Sequence, residues 1–319
     1  MRSPRSCLAL TCTGALLLLA AAATSPAEPG DLPRFTFRGV ALHPDDLDYA
    51  PTRQLIHPTI IRTGGRIENA LGKYYMYYAP HKHLGISMAY SDSLDGPWTE
   101  YGDNPVVESA SAPDVRWIEP EKRFYLWGHR KNSQTEAWTS TDGIHFDHQG
   151  VSVTAKEIGT RNASYTRVYH YPLERFGSTY IMLYSGFIEH RGIRCIWLAH
   201  SKDAQHWTQL DTPLVEPVAG ENNDAYGPAL LRWKGRNLIV YQDHSSWRGG
   251  NIKCVELDPE LTPVGAGGKR SVLLDPPPGA PLQDRYRGGE FYLEGDTLYL
   301  YSSASKDPRI IVYATAPVD

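Results

Sequence analysis

Apolar and polar residues along this chain alternate in short blocks, and the blocks repeat. The clearest copy is Gly72-Lys73-Tyr74-Tyr75-Met76-Tyr77-Tyr78-Ala79-Pro80, followed by Ile86-Ser87-Met88-Ala89-Tyr90-Ser91-Asp92-Ser93-Leu94-Asp95-Gly96-Pro97-Trp98. The first block reads as a dense aromatic strand after a turn glycine. The second reads as a strand ending in a Ser-x-Asp turn and a tryptophan. Bulky aromatic and β-branched residues suit a pleated, half-buried surface, so both blocks predict β-structure. The aromatic strand returns at Phe124-Tyr125-Leu126-Trp127, Tyr180-Ile181-Met182-Leu183-Tyr184, Leu238-Ile239-Val240-Tyr241 and Leu298-Tyr299-Leu300-Tyr301. Measured at Tyr77, Trp127, Tyr184, Tyr241 and Tyr301, the spacings are 50, 57, 57 and 60 residues. The Ser-x-Asp turn returns at Ser140-Thr141-Asp142 and Ser201-Lys202-Asp203. A period near that of propeller blades predicts an all-β fold, a five-bladed β-propeller with four antiparallel strands per blade. A β-sandwich with accidental regularity is the competing reading, and five spaced copies argue against it.

A short strand precedes each aromatic one: His57–Ile61, Ala112–Arg116, Tyr165–Tyr169, Tyr226–Leu230 and Gly288–Tyr292. As the innermost strands of a propeller, these bring their first residues to one end of a central channel. The loop leaving each aromatic strand lies at the same end, and four of these loops carry titratable residues: His81 and His83, His129 and Arg130, Glu189 and His190, Asp243 and His244. Loops on a rigid scaffold are where chemistry is usually placed. The stretch Arg34-Phe35-Thr36-Phe37-Arg38-Gly39-Val40 alternates like a strand but has no partner nearby, and the last repeat stops after its third strand, at Arg309–Ala314. An uncovered sheet edge is a liability. Residues 34–40 are therefore expected to supply the missing outer strand and close the ring.

Composition narrows the partners. The chain has 319 residues, a net charge of -4 and no basic stripe, which argues against nucleic acid. Arg2 and Arg5, the apolar run from Cys7 to Ala23 and the small residues after it form a secretory signal, residues 1–27. That leaves a propeller catalytic domain at 28–319, secreted or periplasmic, with no membrane attachment once the signal is removed. Cys195 and Cys254 fall in corresponding strands of neighbouring repeats. Such strands usually sit too far apart for a disulfide, so two buried thiols are the favoured reading. The oligomeric state is not indicated.

Four segments carry a resemblance: Gly-x-Tyr-Tyr-x-Tyr at 72–77, Tyr-Ser-Asp-Ser-x-x-Gly-Pro-Trp at 90–98, Ala-Pro-Asp-Val at 112–115, and the Gly-Pro opening of the fourth repeat. Over about residues 55–315 the chain resembles the five-bladed propeller glycoside hydrolases, above all family 43 and its relatives, families 62, 117 and 130. The resemblance implies a carbohydrate substrate and three carboxylates. These are a general-base Asp before the proline of repeat one, a helper Asp in repeat three and a general-acid Glu before the Gly-Pro of repeat four. In this sequence the three places hold His57, the neighbourhood of Tyr165, and Tyr226. Only Ala112-Pro113-Asp114 keeps its pattern, so catalytic roles do not transfer directly.

Glycosidic hydrolysis needs a carboxylic acid to protonate the leaving oxygen and a second group to activate water or attack the sugar. The carboxylates expected at the channel mouth are Asp114, Asp224, Glu290 and Glu189. Asp224 lies two residues before Tyr226, and Glu290 follows two glycines that allow close approach of a ligand. Repeats two and four, or two and five, stand apart around the ring, so a sugar could sit between such a pair. Arg167, in mid-strand, and Arg287 suggest an acidic sugar, since a guanidinium fork suits carboxylate or sulfate. Alternatively Arg167 braces the channel by pairing with Glu290 or Asp114. The substrate-binding set is then Arg167, His129, Arg130, Glu189, His244 and Arg287. A second mechanism takes His57 as base, Tyr226 as proton donor and Arg167 as neutraliser in β-elimination from a uronate. A non-catalytic sugar-binding propeller is the third reading. No cofactor and no catalytic metal is expected. The histidine loops leave a structural divalent cation such as calcium open, with sugar contact the preferred role. The sequence thus predicts a secreted glycosidase acting on an oligo- or polysaccharide.

Overall fold

The computed structural model describes residues 32–218, 224–242, 252–262, 270–274, 287–304 and 307–318, with side chains from 289 onward in the fifth of these stretches. His244 and the Arg287 side chain lie outside the described residues, as does the signal segment. The strand β1 (Thr36–Leu42) precedes the repeats. Blade one holds β2 (Leu55–Arg62), β3 (Tyr74–Pro80), β4 (Ser87–Ser91) and β5 (Thr99–Glu100). Blade two holds β6 (Ser111–Ile118), β7 (Arg123–His129), β8 (Gln134–Ser140) and β9 (Asp147–Thr154). Blade three holds β10 (Ser164–Leu173), β11 (Ser178–Ile188), β12 (Ile193–Ser201) and β13 (Thr208–Gln209). Blade four holds β14 (Tyr226–Trp233), β15 (Arg236–Gln242), β16 (Ile252–Leu257) and β17 (Arg270–Leu274). The fifth is built from β18 (Arg287–Glu294), β19 (Thr297–Ala304), β20 (Ile310–Pro317) and β1. Every ladder is antiparallel, and helix among the described residues is confined to single 3₁₀ turns.

The ring closes as the unpartnered alternating segment requires. β1 pairs with β20, with Thr36 opposite Thr315 and Val40 opposite Val312, and the Arg38 guanidinium donates to the Thr315 hydroxyl at 2.7 Å. The edge of the last blade is thereby covered by residues some 280 positions earlier in the chain.

The repeated aromatic position explains how neighbouring blades dock. Tyr77, Trp127, Tyr184, Tyr241 and Tyr301 are all at most 1% exposed. Each of three of them meets the Ser-x-Asp turn of the next blade. The Tyr77 hydroxyl donates to the Gly143 carbonyl at 2.6 Å and its ring packs edge-on against Phe146. Tyr301 donates to the Leu94 carbonyl and its ring meets Trp98. Trp127 lies edge-on to Trp207. Burying such a ring contributes about 1.5–3 kcal/mol, and a net hydrogen bond about 0.5–1.5 kcal/mol. The ring therefore supplies most of the docking and the hydroxyl fixes the register. The turns are built alike. Ser140 Oγ accepts from the amides of Asp142 and Gly143, while Asp142 accepts from those of Ile144 and His145. Ser201 and Asp203 repeat the pattern. Gly72 owes its identity to close approach, since a Cβ there would lie 2.9 Å from the Ser91 carbonyl. Cys195 and Cys254 are both buried free thiols.

Candidate functional site

All five inner strands begin with a break in ladder register. The breaks fall at Ile56/Thr59, Ser111/Asp114, Ser164/Arg167, Tyr226/Ala229 and Arg287/Gly289. In four of them one residue sits in the left-handed region: His57 at φ 58°, Ala112 at 51°, Tyr165 at 58° and Gly227 at 59°. Glycine adopts this region freely, but for the other three it costs roughly 1–2 kcal/mol each. Strain repeated at one structural level, where the inner strands start, is a pointer to function. These are the same positions at which His57 and Tyr165 stand in the places the family resemblance gives to carboxylates.

Two of the bulged residues, His57 and Tyr165, meet in one ring cluster with His129 and Tyr226. The Tyr165 ring lies 5.5 Å from the His57 ring, 5.1 Å from His129 and 4.6 Å from Tyr226, centroid to centroid. Above it opens a cavity of about 390 Å³ lined by Tyr165, His129, Arg130, Lys131, His81 and Lys82, among others. No carboxylate lines it among the described residues. Both ring nitrogens of His57, Nδ1 of His129, the Ser164 hydroxyl and both amide atoms of Gln242 are buried with no hydrogen-bond partner among the described residues. Gln242 stands opposite Tyr226 in the ladder, and Ser164 immediately precedes Tyr165. Unpaired buried polar atoms each cost about 1–3 kcal/mol and call for an explanation. Here they stand around the Tyr165–Tyr226 pair, and His129 lines the cavity itself.

The two histidines are held neutral. Burial pushes the His57 imidazole well below its usual value, the Arg167 and His129 charges add to this, and the nearby Pro113 carbonyl, which makes no hydrogen bond of full geometry to the ring, pulls the other way. Burial alone pushes His129 down to about 4. A neutral imidazole next to a cavity is a proton acceptor at physiological pH.

Deeper in the channel the groups are charged and paired. Arg116 donates from Nη1 to Glu290 at 2.6 Å and from Nη2 to Asp114 at 2.7 Å, and its Nε reaches the Val168 carbonyl at 2.9 Å. Arg167 is fully enclosed. It donates to the carbonyls of Pro113 at 3.1 Å and Pro58 at 2.8 Å, lies 3.3 Å from Asp114, and has Nε 3.6 Å from Glu290. The Val168 amide donates to Asp114 at 2.8 Å. Two guanidiniums thus neutralise two carboxylates. Burial opposes the charge of Arg116, but Asp114 and Glu290 outweigh it and raise its pKa. The expected gap between Asp114 and Glu290 is filled by the Arg116 side chain, which leaves no room there for a sugar. Pro58 and Pro113 follow the strained residues His57 and Ala112, so the Arg167 fork also ties down two of the bulges.

Asp224 is the carboxylate nearest the ring cluster in sequence. It lies 3.7 Å from Arg194, whose guanidinium sits 4.7 Å from the Tyr226 ring centroid. Arg130, 3.3 Å from Glu136, lines the cavity wall. Glu189 stands at the tip of the β11–β12 hairpin with its side chain 72% exposed, 4.0 Å from Arg161, and does not line the cavity. Sequence reasoning missed Arg116 and Arg194 as partners. Arg116 was accessible, because it lies two residues after Asp114 and so on the same side of the strand. Arg194 gave no signal, since it belongs to a third strand outside every motif. Among the described residues no three His, Cys, Asp or Glu side chains are grouped to hold a metal.

A five-bladed propeller with a polar channel mouth is the architecture of a class of glycoside hydrolases, and this chain shares that fold with them. A solved family-43 glycoside hydrolase superposes with a TM-score of 0.58 at 13% identity, covering 81% of this chain and 88% of that one. A structure reported among glycoside hydrolases of the mannoside phosphorylase family 130 that target β-1,2 mannosidic linkages in Candida mannan gives 0.63 at 14% identity, covering 90% and 96%. The α-L-arabinofuranosidase from Lactobacillus brevis gives 0.58 at 13%, covering 86% and 94%. No family profile and no curated protein matches the sequence.

Proposed function

We propose that this chain is a secreted or periplasmic glycosidase that binds an acidic oligo- or polysaccharide at the channel mouth. The observation that carries the reading is the set of buried polar atoms on His57, His129, Ser164 and Gln242, without partners among the described residues, around the Tyr165–Tyr226 pair, beside a cavity that His129 and Tyr165 line and Lys82, Arg130 and Lys131 wall. A sugar's hydroxyls would satisfy the first group, and a carboxylate or sulfate would match the second. The aromatic faces of Tyr165 and Tyr226 suit the apolar face of a pyranose. The fold shared with glycoside hydrolases supports the same reaction class. In this proposal Asp224 protonates the leaving oxygen and neutral His57 accepts the proton of the attacking water, with no cofactor. Asp114 and Glu290 act from below as fixed counter-charges.

The composition of the cluster favours one alternative. With two histidines, two tyrosines and no lining carboxylate, it suits β-elimination from a uronate. His57 would take the proton next to the carboxylate, a carbon–carbon double bond would form as the carbon–oxygen bond breaks, and Tyr226 would give its proton to the departing oxygen. Incubation with a panel of neutral and uronate-containing oligosaccharides separates the readings. Hydrolysis is expected to yield new reducing ends without ultraviolet absorbance, at a rate that falls about 10²–10⁴-fold in Asp224→Asn. An unsaturated, ultraviolet-absorbing product assigns elimination. Full activity in both Asp224→Asn and His57→Asn removes the mouth as the reaction centre, and substrate bound but returned intact makes the chain a binding protein.

A further inference from the structure

The channel has a second opening, at the ends of the inner strands rather than their beginnings. There a cavity of about 260 Å³ is walled by Arg62, Arg66, Arg116, Trp117, Tyr169 and Tyr292, among others, drawn from blades one, two, three and five. Its chemistry is uneven. Three guanidiniums face it and, among the described residues, no carboxylate does. Glu294, 3.7 Å from Arg62, and Glu119, hydrogen-bonded to the Trp117 indole, stand outside the wall. The donors of Arg116 are taken up by Asp114, Glu290 and the Val168 carbonyl, so it forms a charged but committed floor. Arg66 is different. Its Nη1 reaches the Arg62 carbonyl at 2.6 Å, and its guanidinium lies 5.7 Å from the Trp117 ring centroid. Partial desolvation and the neighbouring Arg62 charge lower its pKa, and Tyr292 and Glu119 offset this only in part.

We propose that this far cavity is a second, non-catalytic site for one anionic sugar unit, carboxylated or sulfated, held by the Arg66 and Arg62 guanidiniums with its ring against Trp117 and Tyr292. The volume suits one ring rather than a chain, falling just below the range of sites that enclose larger ligands. Guanidinium forks recognise carboxylate and sulfate in the plane of the anion, and flat aromatic walls take up the apolar face of a pyranose. The site lies at the opposite end of the channel from His57, and binding there does not depend on the catalytic reading; a role in holding a charged polymer between turnovers rests on that reading.

The test follows the Trp117 indole N–H by nuclear magnetic resonance, assigned by its loss in Trp117→Phe. Glucuronate, glucose 6-sulfate and glucose are titrated separately. A saturable shift with at least one of the two anions and none with glucose is expected, and the anion that binds more tightly distinguishes carboxylate from sulfate recognition. Arg66→Gln should weaken binding at least 10-fold, with Arg62→Gln as the substitute if that variant does not fold, whereas Lys82→Gln at the mouth should leave it unchanged. No saturable response to either anion, an equal response to glucose, or an undiminished response in Arg66→Gln overturns the proposal. So does tighter binding of uridine monophosphate than of either sugar, which would assign the cavity to another ligand class.

Discussion

At the channel mouth, His57, His129 and Gln242 bury polar atoms that find no partner among the described residues. Deeper in the channel, on β6, β10 and β18, two guanidiniums face two carboxylates: Asp114, Arg167 and Glu290 are buried and Arg116 is partly exposed, and the Arg167 Nε, 3.6 Å from Glu290, makes no hydrogen bond among the described residues. The two levels belong to one channel but stand on different strands, and they treat polar groups in different ways. A mutually paired set of charges holds blades two, three and five in one arrangement, with its guanidiniums committed to carboxylates and carbonyls rather than to a ligand. An unsaturated set of neutral groups costs the fold stability, about 1–3 kcal/mol for each unpaired atom, and is prepared to bind. The lower level also supports the upper one, because Arg167 hydrogen-bonds the carbonyls that follow the strained His57 and Ala112. Rigid support below and unmet hydrogen-bonding above is the division expected of a preorganised site.

This contrast can be broken in order of effect. Asp114→Asn should be the most disruptive change. It leaves the buried Arg167 and the partly exposed Arg116 guanidiniums facing one carboxylate and should lower the free energy of unfolding by roughly 3–5 kcal/mol, read from urea denaturation midpoints. A loss below about 1 kcal/mol would show that the four charges do not depend on one another.

His57→Asn should do the reverse. Asparagine tolerates the left-handed backbone at this position and removes an unsatisfied ring, so the melting temperature should hold or rise. Activity should nevertheless fall about 10²–10⁴-fold. Destabilisation as large as that of Asp114→Asn would erase the distinction between the levels.

The smallest effect is the pH dependence of stability. His129 is pushed down to about 4 in the folded state, against about 6.5 in an unfolded chain. Between those values the unfolded state binds more protons, so stability is full above about pH 6.5 and is lost as pH falls toward 4. For His129 the loss is on the order of 3 kcal/mol at the bottom of the window. His57 adds to it in the same direction. Melting curves of His129→Gln across this range should be visibly flatter than those of the parent. Equal slopes would mean that His129 titrates normally and is not enclosed.

Much of this molecule could be read from its residues alone, because burial is periodic along a strand. The spacing of Tyr77, Trp127, Tyr184, Tyr241 and Tyr301 set the number of blades, and each of those positions lies in the core. The alternation of residues 34–40, together with the missing strand in the last repeat, set the closure that β1 and β20 make. The end of the channel that gathers His57, His129, Arg130 and Tyr226 followed from strand order. Partnerships across the ring did not follow. Asp114 and Arg116 lie two residues apart on one face, but the Glu290 that completes their pairing is 174 residues away from Arg116, and Arg167 reaches Pro58 across 109. A carboxylate in a sequence looks the same whether it is free to act or held by two guanidiniums. Only the closing of five sheets about one axis decides which groups are neutralised and which are left waiting, because that choice depends on distances of a few ångströms between segments with no local relation.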